Sequence, residues 1–306
     1  MLLLTGATGT VGRALLARLL AEGQTVRCLV RDPRRLGAQR VRVQIALGDL
    51  GDPASFRHAL RDVDTVIHLA SVIRDQRAGS IEELAGFATV RLLQAAEEAG
   101  VTRFLFFSTL NADTQSPARF MRAKAVAERA VVQSRLASTV FAPSIIYAPD
   151  DPYVTLLQRM SLLPVMPIPG GGAARFEPIW SEDVAECVLA TLPGGGAEHG
   201  SAGARYELAG PEILTHRQIV ELVLASARRR RRIVAIGPGL TRRVLKAVER
   251  VSGPDAFATW DEAELLDVPL LAANGTADCT RLGVTPRPMG AVLGVTPRPV
   301  GAALGV

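Results

Sequence analysis

The sequence predicts a doubly wound, mostly parallel α/β sheet followed by a smaller C-terminal α/β subdomain. Three observations carry that expectation. Met1–Leu4 is an apolar run that stops at Gly6. From there to residue 142, segments of strand character alternate with segments of helical periodicity. The strand segments, such as Arg103-Phe-Leu-Phe-Phe-Ser-Thr109, are almost continuously apolar, which marks strands covered on both faces.

The opening stretch has the clearest physical meaning. Glycines recur at Gly6, Gly9 and Gly12, and from Val11 the apolar residues fall at helical spacing. The reading is a buried strand, a tight turn and a helix whose first turn is uncovered. Such a helix end carries unpaired N–H groups and the positive end of the dipole, so it holds a pyrophosphate. Gly6 permits the turn, Gly9 lets phosphate approach the backbone, and Gly12 lets helix and strand pack closely. Three glycines alone are a weak signal, but the strand before and the amphipathic helix after meet the motif's context. Thr5, Gly6, Thr8, Gly9, Thr10, Val11 and Gly12 are therefore candidate dinucleotide contacts.

Thr25–Val30 reads as a second strand ending in Arg31-Asp32-Pro33-Arg34-Arg35. An acid at this tip accepts from the ribose hydroxyls of NAD, whereas arginine pairs with the 2′-phosphate of NADP. Arg31 at the tip, with Arg35 in the same region, favours NADP(H) over NAD(H); Asp32, one residue on, keeps NAD(H) open. Val41–Leu47 reads as a third strand leading into Gly48-Asp49-Leu50, where Asp49 can accept from the adenine amino group. Asp52 is better placed than Asp49 to cap a helix over Pro53–Arg61. Asp64–Ala70 is a fourth strand and its exit. Leu69, Ala70 and Ser71 then lie along the cofactor, and His68 is a packed core histidine.

A helix over Glu83–Ala99 closes at Gly100, a normal C-terminal stop. The fifth strand, Arg103–Thr109, brings the Ser108 and Thr109 hydroxyls to its carboxyl end. A helix over Ala118–Gln133 carries Lys124, and Ala137–Ala142 makes a sixth strand. Pro143 and the stretch Pro164–Gly172 fit no regular element. Phe176–Leu192 reads as a short extended segment running into a capped helix, Gly194–Gly203 as a surface loop and Arg205–Leu208 as a strand. Helices are expected over Thr215–Ala227 and Thr241–Ser252. Leu282-Gly-Val-Thr-Pro-Arg-Pro288 is echoed at Leu293–Pro299, a local duplication rather than a solenoid. The expected division is 1–149 with 176–209 as the dinucleotide-binding domain, and 150–175 with 210–306 as a smaller part facing substrate or partner.

Composition narrows the class. Of 306 residues, 48% are hydrophobic and 21% charged, which excludes a disordered chain. The initial apolar run is too short for a signal peptide, and no long uncharged apolar stretch predicts a membrane span. Cys28, Cys187 and Cys279 are too far apart to suggest a metal knuckle or an extracellular disulfide scaffold, so no metal and a reducing, cytoplasmic setting are expected. Net charge is +5, and lysine occurs only at Lys124 and Lys246. The arginine run 228–232 reads as a solvated helix end or subunit contact. It has no groove-reading or aromatic companion, which argues against nucleic acid.

These motifs together resemble the extended, atypical short-chain dehydrogenase/reductase family, of the NAD-dependent epimerase/dehydratase type. Within it they are most similar to the branch of the 39-kDa accessory subunit of respiratory complex I. The resemblance rests on Thr5–Gly12, Gly48-Asp49-Leu50, His68-Leu-Ala70, Phe107–Ala112, Phe120–Glu128, Phe141–Asp150, Phe176–Ala185 and Leu282–Pro286, and so spans nearly the whole chain. It implies that Lys124 binds the nicotinamide ribose, that Ser108 or Thr109 orients substrate, and that Pro143 and Ile145 touch the nicotinamide. It also implies a homodimer through the helices holding Lys124, and a redox or respiratory assembly as partner. One departure matters: active members carry a proton-donating tyrosine where this chain has Phe120, which has no proton to give. Tyr147 is a candidate substitute donor, as is Tyr153. The resulting expectation is a dinucleotide-binding protein of low or no classical turnover. The alternatives are an NADP-dependent reductase or epimerase-like enzyme with a relocated donor, and a cofactor-free interaction protein.

Overall fold

A computed structural model describes residues 1–194, 203–253 and 256–295. Most of the expected loop 194–203, and the second copy of the tail motif beyond Val295, lie outside the described residues. The chain begins with β1 (Leu2–Thr5), buried throughout, and α1 (Thr10–Ala21). β2 (Val26–Val30) and β3 (Gln44–Leu47) follow, separated by 3₁₀ turns over Pro33–Val41. The third strand is therefore shorter than expected, because Asp32 caps those turns by accepting from the Arg34 N–H at 2.9 Å. Next come α2 (Pro53–Phe56), capped by Asp52 as anticipated, and β4 (Thr65–His68). A π-helical turn over Glu82–Phe87 leads into α3 (Ala88–Glu98). β5 (Arg103–Phe107), α4 (Arg119–Val132) and β6 (Ala137–Pro143) complete the alternation, with Pro143 inside the last strand rather than outside regular structure.

The remaining elements are β7 (Ile146–Tyr147), α5 (Pro152–Met160), β8 (Val165–Pro169), β9 (Arg175–Phe176), β10 (Ile179–Trp180) and α6 (Ser181–Thr191). They continue with β11 (Ala204–Leu208), β12 (Leu214–Thr215), α7 (His216–Ser226), β13 (Arg232–Ile236) and α8 (Pro238–Ser252). Three short helices close the series: α9 (Trp260–Leu265), α10 (Ala277–Arg281) and α11 (Met289–Val292). A Thr215 capping box starts α7 where the sequence placed its cap.

Seven strands form one parallel sheet in the order β11-β6-β5-β4-β1-β2-β3. The order reverses at β1, which pairs with β2 on one side and β4 on the other, so a crevice opens there beyond the strands' carboxyl ends. One face of the sheet is covered by Leu15, Leu16 and Leu19 of α1 together with Val184 and Val188 of α6. Cys279, Leu282 and Val284 of the tail join this same core. The other face is covered by Phe56, Leu92, Ala96, Ala127 and Val131. A third cluster gathers Tyr147, Val154, Leu157, Ile168, Ile219, Val223 and Met289.

One further expectation is corrected. Within Pro164–Gly172, Val165–Pro169 forms a strand, and it pairs in parallel with Arg232–Ile236 at the end of the arginine run. Both strands are edges of a two-stranded sheet, where prolines such as Pro167 and Pro169 are tolerated. No helix among the described residues is long and apolar enough to cross a membrane.

Candidate functional site

Strand β1 and helix α1 meet in a turn whose glycines are fixed by contact. Gly6 has φ +73°, and a Cβ there would lie 2.6 Å from the Ala70 nitrogen. A Cβ on Gly12 would lie 2.1 Å from the Gly6 carbonyl oxygen, so Gly12 is the point where helix and turn touch. Gly9 is roomier, since its Cβ would meet that oxygen at 3.3 Å. It caps α1 with no side-chain bond to the helix, which leaves the first-turn N–H groups without a side-chain acceptor from the cap.

These groups open on a cleft of about 550 Å³ at the strand-order reversal. The cleft brings together Gly6, Thr8, Gly9, Arg31, Arg35, Asp49, Leu50, Leu69, Ala70 and Ser71 of the sequence-derived candidates. Ala7, Leu29, Val30, Val72 and Leu84 line it as well without having been singled out from sequence, together with Gly48 of the adenine motif and Asp32, the residue that kept NAD(H) open. Leu84 comes from the π-helical turn, a geometry with no simple sequence signal. Asp49 binds the Gly51 N–H through Oδ1 at 2.9 Å, and its Oδ2 faces Arg31 at 3.8 Å. Both side chains are partly exposed, so this pair holds Arg31 only weakly. Asp32 is already engaged with the Arg34 N–H.

Thr5, Thr10, Val11 and Gly12 do not line the cleft. Thr5 is fully buried and accepts from the Ala70 N–H at 3.3 Å, while its Oγ1 lies 2.7 Å from His68 Nδ1. His68 Nε2 lies 2.9 Å from Thr89 Oγ1, which donates to the Ala85 carbonyl at 3.3 Å. The chain of bonds fits one tautomer: Thr5 donates to Nδ1 and Nε2–H donates to Thr89. Burial, with the Lys124 charge nearby, pushes His68 down to about 3, so it is neutral and structural. It is the packed histidine that its apolar strand suggested.

The second group of candidates gathers beyond β5 and β6. Lys124 is 3% exposed and donates to the Phe107 carbonyl at 2.6 Å. Its ammonium lies 4.9 Å from the Phe106 ring centre and 5.7 Å from that of Phe120. Burial pulls Lys124 down to about 7 against the opposing pull of Glu128. Ser108 donates to Glu128, whose other oxygen accepts from Arg205 at 2.9 Å. Arg205 in turn donates to Glu207 at 2.7 Å. Glu128 stands one helical turn beyond Lys124, and its acceptor role was not anticipated; the i, i+4 spacing was the available signal. Thr109 is buried beside Ser108.

Pro143 is buried at the end of β6, where its carbonyl accepts from the Leu110 N–H at 3.1 Å. Ile145 is half-buried, and neither residue lines the cleft. Tyr147 is 1% exposed within the third core cluster, and no described group hydrogen-bonds its hydroxyl. Burial and the charges of Asp183 and Glu212 raise its phenol above the usual range. Tyr153 is held in the same way by burial.

An ionic cluster borders this region. Arg119, at the start of α4, binds Glu82 at 2.8 Å and Asp75 at 3.0 Å and faces Asp261 of α9 at 3.4 Å. Among the described residues, no group of three or more His, Cys, Asp or Glu could hold a metal ion.

Comparison with known proteins agrees with this geometry. The model of a family described as NAD(P)H-binding matches residues 6–193. The mitochondrial NADH dehydrogenase [ubiquinone] 1 alpha subcomplex subunit 9 of Arabidopsis thaliana is 32% identical over 233 residues, covering 71% of this chain and 56% of that protein. The photosystem II assembly factor Ycf39 of Cyanophora paradoxa is 34% identical over 142 residues, covering 46% and 44%. The chain thus spans about half the length of these two relatives. Among solved structures, the NADPH-dependent quinone oxidoreductase of Escherichia coli complexed with NADPH superposes with a TM-score of 0.73 at 19% identity. That match covers 96% of this chain and 99% of the other, a likeness of fold.

Proposed function

The chain belongs to the NAD(P)H-binding family, and from that premise we propose a dinucleotide-binding protein that prefers NADP(H) and has little or no classical dehydrogenase turnover. The observation that carries this reading is the pairing of an open glycine turn with Phe120 beside the buried Lys124. The turn can hold a pyrophosphate. Lys124 is assigned to the nicotinamide ribose by the resemblance, and the ring next to it has no hydroxyl to exchange a proton. The relatives' names, a complex I subunit and an assembly factor, support a role in a redox or respiratory assembly. Exposed Phe87, Val126 and Val132, on and beside the α3–α4 helices, support a homodimer there. Three buried free cysteines fit a reducing compartment, in our reading the cytoplasm. We assign the dinucleotide to 1–149 with 176–209, and substrate or partner contacts to 150–175 with 210–306.

Arg31 supports the NADP(H) preference because it stands at the tip of β2 in the cleft and is free to turn toward a 2′-phosphate. Calorimetric titration is expected to give tighter binding of NADPH than NADH. Arg31→Ala should remove most of the difference, roughly 10- to 100-fold for a lost charge-assisted bond. Equal affinities in the parent end the Arg31 assignment.

A second reading, a reductase with a relocated donor, is favoured by one contact: the Ser108 hydroxyl bound to Glu128. Phe120→Tyr separates the two. If catalysis is missing only its donor, the variant turns over a panel of carbonyl compounds with NADPH while the parent does not. High parent turnover, unchanged by the substitution, favours the Ser108–Glu128 route and removes the low-turnover reading.

A further inference from the structure

Helix α8 has two faces of apolar residues, and among the described residues only one of them is used by the fold. Thr241 is buried, and Leu245 and Val248 are half-buried. Leu240, Val244 and Val251 are 58%, 50% and 87% exposed. With the exposed Ala247 they stand at i, i+4, i+7 and i+11, within about 60° of arc at 3.6 residues per turn. The stripe is about 16 Å long at 1.5 Å per residue. Isolated exposed apolar residues are ordinary, but an aligned row on one helix is not.

Among the described residues of this helix, the charge beside the stripe is all of one sign. Exposed Arg243, Lys246 and Arg250 stand along the edge of the helix next to it. The helix's sole acid, Glu249, is turned away and accepts from the Trp260 N–H. A row of apolar side chains flanked by a row of cations matches the boundary of an anionic bilayer, where acyl chains lie just beneath headgroup phosphates. It does not match a second copy of the same face, since a two-fold pairing would bring two sets of cations together.

We propose that α8 docks this protein on an anionic lipid bilayer. Leu240, Val244 and Val251 enter the headgroup boundary, and Arg243, Lys246 and Arg250 lie on the phosphates. The dinucleotide cleft plays no part in this docking.

Vesicle co-sedimentation of the full chain tests it, using phosphatidylcholine alone and phosphatidylcholine mixed two to one with phosphatidylserine. The parent should sediment with the anionic vesicles and not the neutral ones, and added salt should release it. V244D/V251D should abolish sedimentation. R243Q/K246Q/R250Q should weaken it on the order of 100-fold, from the usual contribution of a basic residue near a charged membrane. Both variants should keep the parent's thermal midpoint and dinucleotide affinity. Equal partition onto neutral vesicles, or V244D/V251D binding like the parent, overturns the proposal. So does a parent dimer, seen by sedimentation velocity without vesicles, that V244D/V251D dissociates, because a second copy then covers the stripe. A lower thermal midpoint in V244D/V251D overturns it too, because the stripe is then covered within the chain.

Discussion

Gly12→Ala is expected to lower the thermal midpoint by several degrees and to abolish measurable dinucleotide binding, whereas Gly9→Ala should leave the fold close to the parent's. The two glycines sit three residues apart and differ in what surrounds them. A methyl at Gly12 meets backbone on two sides: the Gly6 oxygen at 2.1 Å and the Ala7 Cα at 2.8 Å. Neither can rotate away as a side chain could, so the helix must lift off the turn. Overpacking costs about 1–3 kcal/mol in cores that relax, and a backbone clash belongs at or above the upper end. Lifting α1 also moves the N–H groups that would face the pyrophosphate, so affinity falls together with stability. At Gly9 the nearest atom is 3.3 Å from the added methyl, and a shift of a few tenths of an ångström accommodates it. What the Gly9 methyl obstructs is the ligand's approach. Thermal unfolding and calorimetric titration of both variants check the contrast. If Gly12→Ala binds NADPH like the parent, the pyrophosphate does not rest on α1.

Replacing Lys124 with methionine should flatten the rise of stability with pH between about 7 and the ordinary lysine range. The direction follows from burial. In the folded protein Lys124 is pulled down to about 7, while in the unfolded chain it titrates near 10.5. Across that interval the unfolded chain binds the proton and the folded protein does not, so raising the pH favours folding. Below about 7 the cation is present in both states, and its desolvation is a constant cost to the folded one. Lys124→Met removes that cost and is expected to be at least as stable as the parent at pH 6, even though the Phe107 carbonyl loses its donor. The advantage should shrink as the pH rises. Dinucleotide affinity should fall in the variant, most strongly below pH 7, where the parent's lysine carries charge for the ribose and its phosphate. Denaturant unfolding at several pH values measures the first effect. Curves that stay parallel for parent and variant would place the low-affinity proton elsewhere.

The sheet and the phosphate turn were readable from sequence because their constraints are local. Glycine spacing, apolar runs and a capping aspartate each act within a few residues. Asp52 caps α2 as its position implied, and His68 is packed as its apolar strand implied. What was not readable depends on partners distant in sequence. Val165–Pro169, with its two prolines, looks unsuited alone and is a strand because Arg232–Ile236 lies beside it, a segment that begins at the last residue of the arginine run. Lys124 was placed on a helix and given its role by resemblance, but its burial against Phe106, Phe107 and Phe120 depends on β5, distant in sequence. Glu128 showed no role in sequence because its partners come from the ends of β5 and from β11. The tail motif 282–288 read as a local duplication with no packing partner evident; Leu282 and Val284 are buried and the Arg287 N–H binds Asp183 at 2.8 Å.

That tail contact bears on how the protein is made. The back of α1, whose front end carries the phosphate turn, shares its core with Cys279, Leu282 and Val284. The tail residues of this core lie more than two hundred and fifty positions after α1, so a chain being synthesised carries the helix long before it carries them. Until then the core that Leu15, Leu16 and Leu19 share lacks part of its packing, and its completion waits on residues 279–284.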